Sequence, residues 1–282
     1  MGCGDNSRGQ CGAGPETRLR FAPIGVPPSV ARCVTAVACG WQHTVFLTAK
    51  GSVLVCGEGA YGQLGCGPAL LQSTEAVVVE GVAAVSVACG FRHTVVASAD
   101  GGVLAWGSNR HGQVVLPVCK AVFEPARVSG ATWAAKPGGG TGPAVCGGWR
   151  HSLLLAPSGE VMAWGSNKYG QVCGGDDAGS LPPTPLAWFG DGTALGSAQS
   201  VSCGWSHAAV LTGGGQVCVW GRRDMGQLGV PAGTAACPAT PVLPLGSEEA
   251  VASIACGSEH TMVVTSCGRL LAWGWNEHGN LG

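Results

Sequence analysis

The sequence predicts an all-β chain assembled from a repeated unit, and three observations carry that reading. Glycine fills 49 of the 282 positions. The average share is roughly 7 %, and each Gly inside a helix costs roughly 0.5–1 kcal/mol relative to Ala, so this composition belongs to turns. Two short motifs recur along the chain at one fixed internal spacing. Between them, short apolar runs bracket Gly-containing turn signals, the pattern of hairpins. With 46 % hydrophobic and 11 % charged residues, such a chain has enough apolar surface to fold.

Taken in order, the chain opens inside the second motif, Trp/Cys-Gly-x-x-x-x-Gly-Gln, as Cys3-Gly4-Asp5-Asn6-Ser7-Arg8-Gly9-Gln10. The first complete unit follows. Residues 35–39 alternate as a strand and lead into the first motif, Gly40-Trp41-Gln42-His43-Thr44. Residues 44–48 form a second strand, Ala49-Lys50-Gly51 a turn, and residues 52–56 a third strand that runs into Cys56-Gly57. The apolar stretch 76–79 supplies a fourth. The first motif returns as Gly90-Phe91-Arg92-His93-Thr94, Gly148-Trp149-Arg150-His151-Ser152, Gly204-Trp205-Ser206-His207-Ala208 and Gly257-Ser258-Glu259-His260-Thr261. The second returns at Trp106-Gly107, Trp164-Gly165, Trp220-Gly221 and Trp273-Gly274. From His to the motif Gly is 14 residues in every unit, as in 43 to 57 and 260 to 274, whereas successive His residues lie 50, 58, 56 and 53 apart. Length variation is thus confined to one connection, as in a rigid unit with a variable surface loop.

Units of three or four strands, each too small to hold a core alone, stack radially into a propeller or linearly into a solenoid. A period near 54 is too long for hexapeptide or leucine-rich solenoids, and no Trp-Asp ending occurs. A β-propeller of four-stranded blades with a different repeat fits best.

Composition narrows the function. Net charge is −1, and no basic run exceeds the pair Arg222-Arg223, so no phosphate-tracking surface and no direct nucleic-acid partner is expected. There is no run of 18 apolar residues for a membrane span and no apolar h-region at the N-terminus. Fifteen Cys, an odd number without a signal peptide, point to reduced thiols and a cytoplasmic, secondarily nuclear, location. No Cys-x-x-Cys pair occurs, so neither a metal nor a cofactor is expected. The Gly-rich stretch Lys136-Pro137-Gly138-Gly139-Gly140-Thr141-Gly142 lacks the Gly-Lys-Ser/Thr ending of a phosphate loop. No nucleophile–base constellation suggests a catalytic residue.

The recurring residues read as scaffold. His43, His93, His151, His207 and His260 are expected to bridge backbone groups of inner strands. Gly57, Gly107, Gly165, Gly221 and Gly274 supply positive φ or close backbone approach. Trp106, Trp164, Trp220 and Trp273 pack between blades, and Cys39, Cys89, Cys203 and Cys256 fill a small buried site. Functional information resides where equivalent positions differ. The candidate partner-binding residues are Trp41, Phe91, Arg92, Trp149, Arg150 and Trp205 from the first motif. Arg110, Lys168, Tyr169, Arg223, Asp224, Trp275 and Glu277 join them from the four variable residues of the second.

The pair Gly-Trp-x-His-Thr and Trp-Gly-x-Asn-x-x-Gly-Gln-Leu-Gly resembles the repeat of the regulator of chromosome condensation family over essentially the whole chain. The resemblance implies a seven-bladed propeller, of which residues 1–282 carry about five repeats plus a half-motif, a single and incomplete domain. It implies a non-enzymatic protein-interaction role, a guanine nucleotide exchange factor-like regulator or a scaffold that binds a small GTPase or another protein. The family also contains a plant ultraviolet photoreceptor whose Trp residues stack with Arg across a dimer. Of Trp41, Trp149 and Trp205 only Trp149 is followed by Arg, and Phe91-Arg92 carries the Arg without the Trp.

Overall fold

In a computed structural model, the described residues are 2–12, 16–22, 24, 26, 32–135, 142–172, 179–190, 192–231, 238, 240, 243, 245 and 249–282. They divide into two compact units, Met1–Trp133 and Ala134–Gly282. Among the described residues of either unit every regular element is a β-strand.

In the first unit, β1 (Gly2–Gly4) pairs with β2 (Arg18–Ala22). Two four-stranded antiparallel sheets follow, β3 (Val34–Cys39), β4 (His43–Thr48), β5 (Val53–Glu58), β6 (Gln72–Val78), and β7 (Ala84–Cys89), β8 (His93–Ser98), β9 (Gly102–Ser108), β10 (Ala121–Thr132). The second unit holds β11 (Ala144–Gly147), β12 (His151–Leu155), β13 (Val161–Ser166) and β14 (Ser180–Pro185) in one sheet. Its other sheets, three-stranded among the described residues, are β15 (Ala198–Cys203), β16 (His207–Thr212), β17 (Val217–Gly221), and β18 (Val251–Cys256), β19 (His260–Thr265), β20 (Leu270–Gly274). Each sheet is a meander in sequence order. The fourth strand of the first complete unit starts earlier than the apolar stretch 76–79, because its polar start, Gln72 and Ser73, pairs with Glu58 and Gly57 on an outer edge that tolerates polar side chains. Pro182, Pro183 and Pro185 stand in β14, also an edge strand, where a missing N–H costs no ladder bond.

The central strands are buried on both faces. Every residue of β4, β5 and β8 is buried, which is why they read as continuous apolar runs rather than alternations. One face of β4 and β5, through Val45, Leu47, Val53 and Val55, packs with Val96 and Trp106 of the next sheet. The other face sends Phe46, Leu54 and Cys56 into a separate cluster with Ala76. In the second unit Leu153, Val161 and Ala163 pack with Val210, Cys218 and Trp220. Neighbouring sheets thus stack face to face within each unit.

The fixed spacing of 14 residues has a direct structural cause. Each repeat His stands opposite its motif Gly across the central hairpin, as His43 to Gly57, His93 to Gly107, His151 to Gly165, His207 to Gly221 and His260 to Gly274. At that point the backbone leaves no room. Gly107 has φ +112°, and a Cβ there would lie 2.5 Å from the Arg92 carbonyl oxygen and 2.6 Å from His93 Cα. Changing the hairpin by one residue would take Gly out of this register and place a side chain against the neighbouring backbone.

A polar relay links one sheet to the next. In the first unit the Gln63 carbonyl accepts hydrogen bonds from the Thr94 hydroxyl (2.9 Å) and the Trp106 indole (3.0 Å) of the following sheet. Thr94 has only one hydroxyl proton to give, so His43 Nε2, 3.1 Å away, must be the donor to it. In the second unit Gln227, Thr261, Trp273 and His207 repeat the arrangement at 2.9, 3.0 and 3.0 Å. The imidazole expected to bridge backbone groups therefore turns, in His43 and His207, to the hydroxyl of the next sheet. The repeat cysteines do not fill the small buried site expected of them. Cys39 is exposed and Cys89, Cys203 and Cys256 are only partly buried, because the first strand of each sheet is an edge strand.

Candidate protein-interaction site

The second motif builds a rigid loop whose variable part is smaller than its sequence suggests. Where an Asn stands second among the four variable residues it is structural. Asn109 is buried, and its Oδ1 accepts from the backbone N–H groups of Val114 and Val115, both at 3.1 Å. Asn6, Asn167 and Asn276 hold Cys11, Val172 and Leu281 in the same way, at 2.7 to 2.9 Å. The motif Gln reaches back to the fourth variable residue, as Gln171 Oε1 to the Tyr169 N–H at 2.8 Å and Gln63 Oε1 to the Tyr61 N–H at 2.9 Å. What remains for display is the third and fourth positions, Arg110-His111, Lys168-Tyr169, Asp224-Met225 and Glu277-His278, of which the third is exposed in each pair.

The loop is tied to the first motif of its own sheet. The N–H of the first variable residue donates to the carbonyl of the residue before the His, Ser166 to Arg150 and Arg222 to Ser206 at 2.8 Å, Trp275 to Glu259 at 2.9 Å. Both motifs therefore present their variable residues at one end of the sheet. Equivalent first-motif residues also touch from sheet to sheet. The Trp41 N–H donates to the Phe91 carbonyl (3.2 Å), Trp149 to Trp205 (3.1 Å) and Trp205 to Ser258 (2.9 Å).

In the first unit these constraints gather Trp41, Phe91, Arg92 and Tyr61. The Trp41 and Phe91 rings lie 5.1 Å apart and Trp41 is 55 % exposed. The Arg92 guanidinium sits 4.0 Å from the Tyr61 ring centre and 5.0 Å from that of Phe91, a cation held between two π faces. Tyr61 is absent from the sequence-derived candidates although it stands in a variable quartet.

In the second unit the rings of Trp149 and Trp205 lie 4.8 Å apart, and Arg150 covers Trp149 at 4.7 Å. Beside them a groove of about 290 Å³ is lined by Lys168, Tyr169, Gly221, Arg222, Arg223 and Asp224. Tyr169 forms its aromatic wall, with Lys168 at 5.0 Å and Arg222 at 5.3 Å from the ring. Arg222, which sequence reasoning passed over, is the organiser. It pairs with Asp224 at 2.6 Å and with the buried Glu259 at 3.0 Å, while Gln227 donates to the other Glu259 oxygen at 2.7 Å. Burial raises the Glu259 carboxyl above its ordinary range and Arg222 opposes that shift, whereas the hydrogen bond from Arg222 lowers the Asp224 carboxyl. Trp275 donates from Nε1 to Glu277 at 3.2 Å and meets the His278 ring edge-on at 5.1 Å. The candidates thus form local clusters within each unit, while Arg110 stands exposed on its own loop.

Among the described residues no group of three or more His, Cys, Asp or Glu side chains converges as a metal site. The Gly-rich stretch lies, over residues 136–141, outside the described residues. No helix is long and apolar enough to cross a membrane.

The family model described as RCC1-like domain matches residues 1–282. The secretion-regulating guanine nucleotide exchange factor of Mus musculus is 35 % identical over 310 residues, covering 99 % of this chain and 63 % of its own length. The ultraviolet-B receptor UVR8 of Arabidopsis thaliana is 30 % identical, with 97 % of this chain and 60 % of the receptor covered. The chain therefore spans less than two thirds of the curated relatives it matches. The crystal structure of human WBSCR16 superposes with a TM-score of 0.80 at 26 % identity, over 100 % of this chain and 72 % of that one. The stacked sheets are β-propeller blades of this type.

Proposed function

This chain belongs to the RCC1-like domain family, and from that membership we propose that it is a non-enzymatic interaction propeller, a guanine nucleotide exchange factor-like regulator or scaffold of a small GTPase. The observation that carries the proposal is the clustering of cations and aromatic rings on loops whose backbones are pinned by the buried motif Gln, with Asn167 as a second pin in the Tyr169 loop. Arg and aromatic side chains held rigidly lose little entropy on binding and dominate protein interfaces. Exchange by such a surface is non-covalent: it distorts the partner's phosphate-binding loop and metal site, and so needs no nucleophile or general base. The relative's name, which contains guanine nucleotide exchange factor, supports the GTPase as partner. The reduced-thiol composition supports a cytoplasmic location, with the nucleus as a second one.

The test is nucleotide release from a panel of small GTPases loaded with a fluorescent guanine nucleotide, together with binding to the same panel. Accelerated release from one member at micromolar chain is expected. Binding without acceleration would remove exchange and leave the scaffold role. No binding to any member would remove both.

One observation favours a second reading, an ultraviolet photoreceptor. Trp149, Trp205 and Arg150 form a compact Trp–Trp–Arg group. The group does not extend to Ser258 or to Gln42, which take the place of Trp and Arg in their units, so the interaction reading is preferred. An oligomeric state that changes under ultraviolet light would reverse that preference.

A further inference from the structure

The loop of residues 222–225 departs from its equivalents. Asn6, Asn109, Asn167 and Asn276 stand second among the variable residues of their loops, and here that place is taken by Arg223. It is preceded by Arg222, where the other loops carry Asp5, Glu58, Ser108, Ser166 and Trp275. Two cations thus enter one loop, and Lys168 of the preceding loop joins them along the groove of about 290 Å³.

Two carboxylates meet Arg222, and they meet it unequally. Glu259, buried, holds Nη1 at 3.0 Å and is itself fixed by Gln227 at 2.7 Å. Asp224 takes the opposite edge of the guanidinium, but it stands only two residues along the chain and does not match the fork. Its Oδ2 accepts from Nη2 at 2.8 Å, whereas its Oδ1 lies 2.6 Å from Nε without the alignment of a hydrogen bond. The buried Nε–H is therefore left unsatisfied. A guanidinium edge offers two parallel N–H groups, and a carboxylate free to approach in its plane takes both.

We propose that this groove binds a carboxylate side chain from an acidic segment of a partner protein, which displaces Asp224 from the Nε–Nη2 edge of Arg222. The inference rests on reading the groove as a protein-interaction surface, whatever the partner's own activity. Glu259 keeps the fork in place during the exchange, because it grips Nη1 from the buried side. Tyr169, with Lys168 at 5.0 Å and Arg222 at 5.3 Å from its ring, holds both cations at the groove wall. With Asp224 displaced, Lys168, Arg222 and Arg223 are opposed only by Glu259 among the groove residues and their ion pairs, so the charge left over is positive and suits an acidic segment. The volume suits a few side chains, since pockets that enclose a whole small molecule hold roughly 300–1,000 Å³. Asp224 is an internal stand-in for the ligand. Its removal should therefore tighten binding, the opposite of what an ordinary contact residue does.

Two peptides labelled with a neutral fluorophore serve as probes, Gly-Ser-Glu-Asp-Glu-Ser-Gly and its amide counterpart Gly-Ser-Gln-Asn-Gln-Ser-Gly. Binding to the full chain is read by fluorescence anisotropy at low salt. The acidic peptide is expected to bind saturably with a Kd of about 1 mM or tighter, and the amide counterpart about tenfold more weakly or less. Asp224→Asn should tighten the acidic peptide by about threefold or more at an unchanged urea midpoint, whereas Arg222→Lys, which keeps the charge and loses the fork, should weaken it about tenfold. A weaker or unchanged affinity in Asp224→Asn overturns the proposal, as does equal binding of the two peptides or no saturable binding by about 1 mM. Displacement of the acidic peptide by inorganic phosphate, at concentrations where acetate displaces none, would assign the groove to a phosphorylated ligand and overturn it as well. No GTPase enters this assay, so its failure leaves the exchange reading standing, and a failure of nucleotide release leaves the acidic-segment site standing.

Discussion

His151 marks the place where the sheet-to-sheet relay is broken. In the following sheet Ala208 stands where Thr94 and Thr261 stand elsewhere, so both ring nitrogens of His151 lack a hydrogen-bond partner. The Gln171 carbonyl still accepts from the Trp220 indole at 3.0 Å. Restoring a hydroxyl should therefore complete the relay. Ala208→Ser, with Ala208→Thr as the larger variant, is expected to stabilise the chain by about 1 kcal/mol, read as a higher urea midpoint at an unchanged denaturant slope. An unchanged midpoint for both variants would remove the relay from the account of stability. The same histidines set the acid limit. Burial lowers His43 and His207 to about 4 and His151 to about 3, below the unfolded value of about 6.5. The unfolded chain thus binds more protons below that value, so stability is complete above about pH 6.5 and is lost as pH falls toward 4. The urea midpoint is expected to hold above about pH 6.5 and to drop from there to pH 5, and a flat profile between pH 6.5 and pH 5 would contradict the neutral, buried ring.

The central hairpin is the element on which the fold depends. Gly107→Ala places a Cβ against the backbone of Arg92 and His93 at positive φ and is expected to destabilise by at least about 2 kcal/mol. Gly214 is the control, since its nearest neighbour would be the Thr212 hydroxyl at 3.8 Å and its φ lies outside the left-handed region. Gly214→Ala should be neutral or stabilise by up to about 1 kcal/mol through the unfolded state. Equal effects at the two positions would argue against the register as the cause of the 14-residue spacing.

That spacing shows how much of the element was legible in the sequence. His and Gly recur at one distance because they are cross-strand partners, and short apolar runs on either side of a Gly turn locate the hairpin without coordinates. The relay was not legible, because Gln63, Thr94, Trp106 and His43 belong to two different units and their meeting depends on how sheets stack. The same reason hid Arg222 and Tyr61. Their importance comes from Glu259 and Arg92, which the sequence separates from them by some thirty residues or more and which the tied loops bring together. The burial of Asn109 and Asn167 was equally hidden, since an Asn in a variable loop reads as display until its Oδ1 partners are known.

For the whole molecule, a repeated rigid frame carries loops that differ only where the frame permits. The buried Asn and Gln pins leave about two display positions per loop, and in the second unit Lys168 and Tyr169 from such a loop stand with Arg223 and Asp224, from a loop that lacks the Asn, around one groove. Lys168 and Arg223 are exposed and their side chains take no part in the relay, so their replacement should change association and leave folding intact. The decisive measurement is the affinity of the full chain for the small GTPase selected from the panel, compared with that of a Lys168→Glu, Arg223→Glu double variant. Binding at micromolar or tighter Kd, weakened about tenfold or more by the charge reversal at an unchanged urea midpoint, is the predicted result. The contradicting result is equal affinity for the two proteins, or no measurable binding by the unaltered chain.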